Sequence, residues 1–212
     1  MPPDRRGTTQ QWGALDPDSI ATMLADAVDE LPGVVRVAVD GPPCTGPEAL
    51  ADELIEQLRV RGRPGAHIRS AAFWRDRSLR YEYGREDVES YRCWLDADAL
   101  RREVLDAVVS SGTYLPSLRD PDTNRSTHAS AIQAGDSTVI VVSGPLLLGR
   151  NLPFDRAVHL LASSAARGRR TPPDEAWTLP AFDEYDATVR PGQVADVVIK
   201  VDDPRHPAAR GL

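Results

Sequence analysis

Apolar positions recur along the chain with two distinct periods. Val34–Val39 is an almost unbroken apolar, β-branched run, which suits a strand buried on both faces better than a half-exposed one. Similar runs at Ala66–Arg69, Thr138–Val142, Ala157–Leu161 and Ala195–Val201 predict four further strands. Between them the apolar spacing is helical. Ile20, Leu24, Ala27, Val28 and Leu31 follow the start signal Asp16-Pro17-Asp18-Ser19 and stop at Pro32-Gly33. Leu50, Leu54 and Leu58 mark a helix from about Pro47 to Arg61, ended by Gly62. Leu100, Val104, Leu105 and Val108 mark one from Ala97 to Ser110, with Asp96 as its cap, and a short helix is expected at Leu179–Thr188. Tyr114–Ser126 reads as loop or irregular hairpin, and residues from Asp202 to Pro207 as loop or extended chain. Strands alternating with helices predict a mostly parallel sheet of about five strands between helical layers, a three-layer α/β domain. Residues 1–15 are expected to be flexible, 16–33 to form a leading helix and the remainder to belong to the same single domain.

The first strand, the loop after it and the next helix form the geometry in which backbone N–H groups and a helix N-terminus cradle phosphate. The corresponding motif is G-x-x-x-x-G-K-[ST]. Here the loop reads Gly41-Pro42-Pro43-Cys44-Thr45-Gly46-Pro47-Glu48. Both glycines are in register, but Pro47 stands at the lysine position and Glu48 at the magnesium-binding hydroxyl.

Charge and composition narrow the function only slightly. A net charge of −7 argues against a nucleic-acid surface, and 41% hydrophobic with 27% charged residues is ordinary for a globular protein. Cys44 and Cys93 make no disulfide framework, and His67, His128, His159 and His206 show no ligand spacing, so no metal site is expected. No apolar run is long enough to span a membrane, and the first residues lack the apolar segment of a signal peptide, which predicts a cytoplasmic protein. Cys44 lies near a helix N-terminus, an environment that activates thiols, yet no histidine lies nearby in sequence to act as base. Ser143-Gly144-Pro145 is not a nucleophile elbow. Trp74 and Trp94 read as core or interface residues.

A longer order of segments then stands out: VAVDGPP, ALADEL, IRSAAFWR, LRYEYGRE, LDADALRREVLDAV, VIVVSGPLLL and VRPGQVADVVIKVDDP. From Val34 to Pro204 this order resembles the P-loop uridine kinase and phosphoribulokinase-like nucleoside kinases. The resemblance implies a P-loop fold and, in an active member, transfer of the ATP γ-phosphoryl to a nucleoside 5′-hydroxyl. That transfer rests on a P-loop lysine, magnesium, an acidic group near the acceptor and lid arginines.

Measured against that pattern, four catalytic positions are altered together. They are Pro47, Glu48, Ala71-Ala72 where paired acids precede Phe73, and Ser143 where an acid precedes Gly144. The segment between Ser163 and Arg190 is short for the family, and Arg167, Arg169 and Arg170 are either lid residues or a solvated basic run. The nucleoside side is less eroded. Phe73, Tyr81, Tyr83, Arg85, Tyr91, Asp96 and Tyr114 are candidates for a pocket, by stacking on a base or bonding a ribose, or else for packing over the sheet end. The leading expectation is a degenerate uridine-kinase-like protein, without ordinary magnesium–ATP phosphoryl transfer. It would serve in binding, regulation or scaffolding, with a nucleoside-like ligand or a protein partner, and homo-oligomers are compatible with it. The alternative is a divergent kinase using ATP and magnesium, in which Asp40, Glu48, Asp120 or Asp122 supplies the acid and metal ligands.

Overall fold

The computed structural model describes residues 12–212, so most of the start expected to be flexible lies outside the described residues. In chain order the elements are β1 (Gly13–Ala14), α1 (Ile20–Asp29), β2 (Val35–Asp40), α2 (Pro47–Val60), β3 (Gly65–Arg69), α3 (Arg77–Arg80) and α4 (Val88–Arg92). Next come α5 (Ala97–Leu100), a π-helical stretch (Arg101–Asp106), α6 (Ala107–Ser110), β4 (Thr113–Tyr114), β5 (Ile132–Gln133), β6 (Val139–Gly144) and β7 (Arg156–Leu161). The chain closes with α7 (Ser164–Arg170), α8 (Leu179–Thr188), α9 (Pro191–Val194), β8 (Val197–Lys200) and β9 (Ala208–Arg210). The helix expected over Ala97–Ser110 is therefore one continuous run whose middle is π-helical.

The main sheet runs in the order β1-β9-β8-β7-β2-β6-β3 and has 7 strands, against an expectation of about five. The five apolar runs are its parallel strands. The two additions are β1 and β9, which pair antiparallel with each other and extend the sheet beyond β8. Strands of two or three residues carry no readable period, which is why the sequence pattern misses them. β4 and β5 form a separate two-stranded ribbon, so Tyr114 begins a loop that returns to pair at Ile132.

Alternation along β2 and β6 explains the layers. Val35, Val37, Val39, Val139 and Val141 face one side, where Ile20, Leu24 and Val28 of α1 and Leu50, Leu54 and Leu58 of α2 close the core. Ile140 and Val142 face the other, against Leu100, Val104, Leu105 and Val108. Ala38 also looks that way, into a cluster with Tyr91, Trp94, Phe182 and Tyr185. Both faces are covered, as a parallel sheet requires. The carboxyl ends of β2, β6 and β3 consequently meet at one edge, beside the start of α2, and open α/β sheets bind ligands at such an edge.

Candidate functional site

The loop between β2 and α2 keeps its two glycines for steric reasons. A side chain on Gly41 would meet Leu160 Cβ at 2.9 Å, and Gly46 has φ +78°, a left-handed conformation that L residues adopt at a cost. The interior of the loop is closed. Pro42, Pro43 and Pro47 carry no N–H. The Thr45 N–H donates to Pro42 O at 2.8 Å and the Gly46 N–H to Pro43 O at 3.0 Å, while Gly41 donates to Gly144 O at 3.2 Å. Thr45 Oγ1 adds a bond to Pro42 O at 2.6 Å, so Pro43–Thr45 winds into a 3₁₀ turn. Three N–H groups of the loop, those of Gly41, Thr45 and Gly46, are thereby committed to the chain's own carbonyls.

Where a bound triphosphate and magnesium would lie, side chains form an internal charge network. Glu48, in the first turn of α2, accepts from Arg69 Nε at 3.0 Å, and Arg69 Nη2 donates to Asp52 at 3.2 Å. The carboxylate at the N-terminal end of α2 takes the favourable place in the helix dipole that an anionic ligand would otherwise fill. Beneath it, Ser143 Oγ lies 2.6 Å from His67 Nε2, and His67 Nδ1 lies 2.6 Å from Asp52 Oδ1. The order serine, histidine, aspartate matches that of a hydrolytic triad. Ser143, however, is fully buried between the sheet and α2. The chain of bonds ties β3 and β6 to α2 rather than presenting a nucleophile. Ala71 and Ala72 offer no proton acceptor or metal ligand after β3. Among the described residues, no group of three or more His, Cys, Asp or Glu side chains is placed to hold a metal ion. This donor set does not suit a magnesium–triphosphate.

Within the alternative catalytic set, the carboxylates of Asp40 and Asp120, like that of Glu48, are bonded within the fold. Asp40 is fully buried: it accepts from the Leu147 N–H at 2.8 Å and the Tyr185 hydroxyl at 3.1 Å, and lies 2.7 Å from His159 Nδ1. Burial, followed by the Asp40 charge, pushes the Tyr185 hydroxyl well above its usual range, so it stays protonated and donates. Asp120 accepts from the N–H groups of Asp122 and Thr123 and from the Thr123 hydroxyl, closing a turn; those bonds hold its carboxyl below the usual range. Asp122 takes part through its carbonyl, which accepts from Arg77.

Next to the closed loop lies an open cleft of about 640 Å³. Its loop side is Pro43 and Glu48, with Ser70, Ala71 and Pro145 from the ends of β3 and β6. Its far side is aromatic: Trp74, Tyr81, Tyr91, Trp94 and Trp177, with Arg85, Glu86, Asp174, Glu175 and Thr178 also lining it. Trp94 joins the rings, meeting Trp74, Tyr81 and Tyr91 edge-on at centroid distances of 5.2, 5.7 and 5.0 Å and Trp177 at 5.8 Å. Behind them Arg80 is buried, its guanidinium 4.9 Å from the Trp94 ring and 5.1 Å from that of Trp74. Burial lowers the basicity of Arg80.

Of the candidate nucleoside-side residues, the fold brings Tyr81, Arg85 and Tyr91 together on this cleft. Phe73 and Tyr114 are instead buried in the core against Leu100 and Ile140, and Asp96 caps α5 by accepting from the Ala99 N–H at 2.9 Å. Tyr83 is exposed and lines a different groove, with Leu79 and Ser90. Trp74 and Trp94, expected as core or interface, line the cleft as well. Trp177 is the residue that sequence reasoning passes over. Its only local signal is a tryptophan in a Pro- and acid-rich stretch, and it reaches the cleft through the 3₁₀ helix Pro173–Thr178.

The candidate lid residues sit differently. Arg167 is buried, donating to Asp183 and Asp186 at 2.6 Å each and to Ala162 O at 2.8 Å. Arg169 is exposed and Arg170 half-buried at the end of α7. The segment expected as lid thus contributes Asp174, Glu175, Trp177 and Thr178 to the cleft rather than arginines.

No protein-family model matches the chain, and no curated protein sequence does either. Solved structures do match. A protein described as a possible uridine kinase from Bacillus stearothermophilus superposes with a TM-score of 0.69 at 22% identity, over 84% of this chain and 96% of that one. A protein assigned as a fructose transport system kinase, from Silicibacter sp. TM1040, superposes with a TM-score of 0.57 at 18% identity, over 85% of this chain and 95% of that one. The chain has the α/β fold of the P-loop kinases, with a mostly parallel central sheet flanked by helices.

Proposed function

We propose that this protein uses the kinase fold as a small-molecule binding module and does not carry out magnesium–ATP phosphoryl transfer. The observation that carries the proposal is the state of the β2–α2 loop. Its Thr45 and Gly46 N–H groups bond inward, and Glu48 is paired with Arg69. To admit a triphosphate, the chain would have to break those bonds and place phosphate beside a carboxylate. No lysine stands at the motif position to offset that, and a charge-assisted bond of the missing kind contributes about 1.5–3 kcal/mol. Phosphoryl transfer also needs an acidic group at the acceptor, where this chain has Ala71 and Ala72.

The aromatic cleft supports ligand binding on the acceptor side. Its volume of about 640 Å³ falls within the range of ordinary small-molecule sites. Its rings can stack on a flat ligand, Arg85 can donate hydrogen bonds, and the Thr178 hydroxyl, which itself donates to Glu175 O at 2.8 Å, can accept one. A nucleoside-like molecule fits these features, and the protein then acts as a sensor, regulator or scaffold.

A thermal-shift screen of nucleosides, nucleotides and sugar phosphates tests the proposal, because a ligand that binds only the native state raises the unfolding temperature. A rise with nucleosides and none with magnesium–ATP is expected. ATP-dependent phosphorylation of any nucleoside by the purified protein would overturn it.

A further inference from the structure

The cleft has a charge pattern that uncharged ring stacking alone does not use. Glu48, Glu86, Asp174 and Glu175 line it, against one guanidinium, Arg85. Of the other cations near it, Arg80 is buried behind the rings and Arg69 is shared between Glu48 and Asp52, so counting both still leaves four carboxylates against three guanidiniums. Asp174 and Glu175 project from the 3₁₀ helix that also carries Trp177, and both are exposed. Their field reaches the cleft floor. Burial raises the Tyr91 hydroxyl above its usual range, and the Glu175 charge adds to the rise. Low-dielectric aromatic walls with one sign of charge concentrate ligands of the other sign.

The rings themselves show what they hold well. Trp74, Tyr81 and Trp94 already carry a buried cation on one side: Arg80, 3% exposed, lies 4.9–5.2 Å from their centroids, and its Nη2 has no hydrogen-bond partner. The guanidinium is held there by these rings together with a bond from its Nε to Arg75 O at 3.0 Å. Indole faces and carboxylates together are the chemistry that recognises organic cations.

We infer that the cleft selects a small organic cation with a flat ring, stacked against Trp74 and Trp177 and neutralised by Glu86, Asp174 and Glu175. This rests on the reading of the cleft as the protein's ligand site and adds the charge of the ligand. It separates the protein from any role in gripping a phosphorylated molecule, because the carboxylates that attract a cation repel a phosphate.

One ring in three charge states tests the inference: 1-methylnicotinamide (cation), nicotinamide (neutral) and nicotinate (anion), each titrated calorimetrically into the full chain. The cation is expected to bind at least roughly tenfold more tightly than nicotinamide, as a desolvated cation–π contact with nearby carboxylates implies. Nicotinate is expected to give no saturable heat. The double variant Asp174→Asn, Glu175→Gln alters two exposed residues and leaves folding intact. It should weaken the cation several-fold and leave nicotinamide unchanged. Equal or tighter binding of nicotinamide or nicotinate, an unaltered cation affinity in the double variant, or no binding of the cation overturns the inference. Phosphoryl transfer from ATP would instead overturn the underlying reading, and the titration would still decide the charge preference separately.

Discussion

Arg69 and Glu48 hold each other across the mouth of the loop, Nε to Oε2 at 3.0 Å, with Asp52 taking a second bond from the same guanidinium at 3.2 Å. Glu48 occupies the motif position of a magnesium-binding hydroxyl, and Arg69 ends β3, which pairs with β6 in the sheet. The pair is half-exposed, so its contribution to stability is small. Its consequence is electrostatic and local: the anion favoured at the α2 N-terminus is supplied by the chain.

If that is so, the loop can be reopened. The double substitution Pro47→Lys, Glu48→Ser removes the carboxylate and restores a lysine and a hydroxyl. Magnesium–ATP affinity is expected to rise by roughly tenfold or more, as one recovered charge-assisted bond implies. No phosphoryl transfer is expected of the variant, since it keeps Ala71, Ala72 and Ser143. Calorimetry paired with a nucleoside phosphorylation assay reads both parts.

Trp94 is the hub of the aromatic cluster and is almost fully buried. Trp94→Ala is expected to cost about 3–5 kcal/mol, in the range for a buried aromatic truncated to alanine, measured by urea unfolding. Trp177 is only partly buried, so Trp177→Ala should cost much less stability while abolishing ligand-induced thermal shifts.

Arg167 is an anchor between α7 and α8. Burial works against its charge, but the bonds to Asp186 and Asp183 prevail and hold its basicity above the ordinary value. Arg167→Met leaves Asp186 and Ala162 O without the guanidinium and Asp183 with only the Ser164 hydroxyl, a loss of about 1–3 kcal/mol. Arg169→Met, at an exposed position, should change stability little. Chemical denaturation of the two variants separates a structural role from a lid role.

Asp155 sets part of the acid limit of the fold. Burial alone would raise its carboxyl, but the bonds from the Arg36 side chain at 2.8 and 2.9 Å and from the Arg36 N–H at 2.8 Å more than offset this, leaving it below the usual range. A group with a depressed folded value stabilises above its unfolded value, about 3.9 for aspartate, and loses that contribution as pH falls through the folded value. Asp155→Asn should therefore be less stable than the native chain at pH 7, with the gap closing below about pH 4. Unfolding midpoints across pH 2–7 would show it; a gap that is constant over the range would contradict the assignment.

The strands that were legible in the chain were those whose apolar runs are long enough to carry a pattern: β2, β3, β6, β7 and β8. Gly41 and Gly46 likewise marked a loop whose backbone needs them. β1 and β9 were not legible, because strands of two and three residues form only by pairing, β9 on β8 and β1 on β9, which is settled in three dimensions. The site was read in part. Substitutions at Pro47, Glu48, Ala71 and Ala72 are visible by position. The bonding of Ser143 to His67 joins residues 76 apart, and no local pattern announces it. Trp177 reaches the cleft from far along the chain for the same reason. Arg167 read as one charge in a basic run because its aspartate partners lie on α8, 16 and 19 residues on.

The central claim is that the loop between β2 and α2 holds its place in the fold without gripping phosphate. Calorimetric titration of the full native chain with magnesium–ATP tests it most directly. No saturable heat is expected up to millimolar nucleotide. Saturable binding with a Kd below about 1 mM, the upper end of ordinary enzyme–substrate affinities, would contradict it.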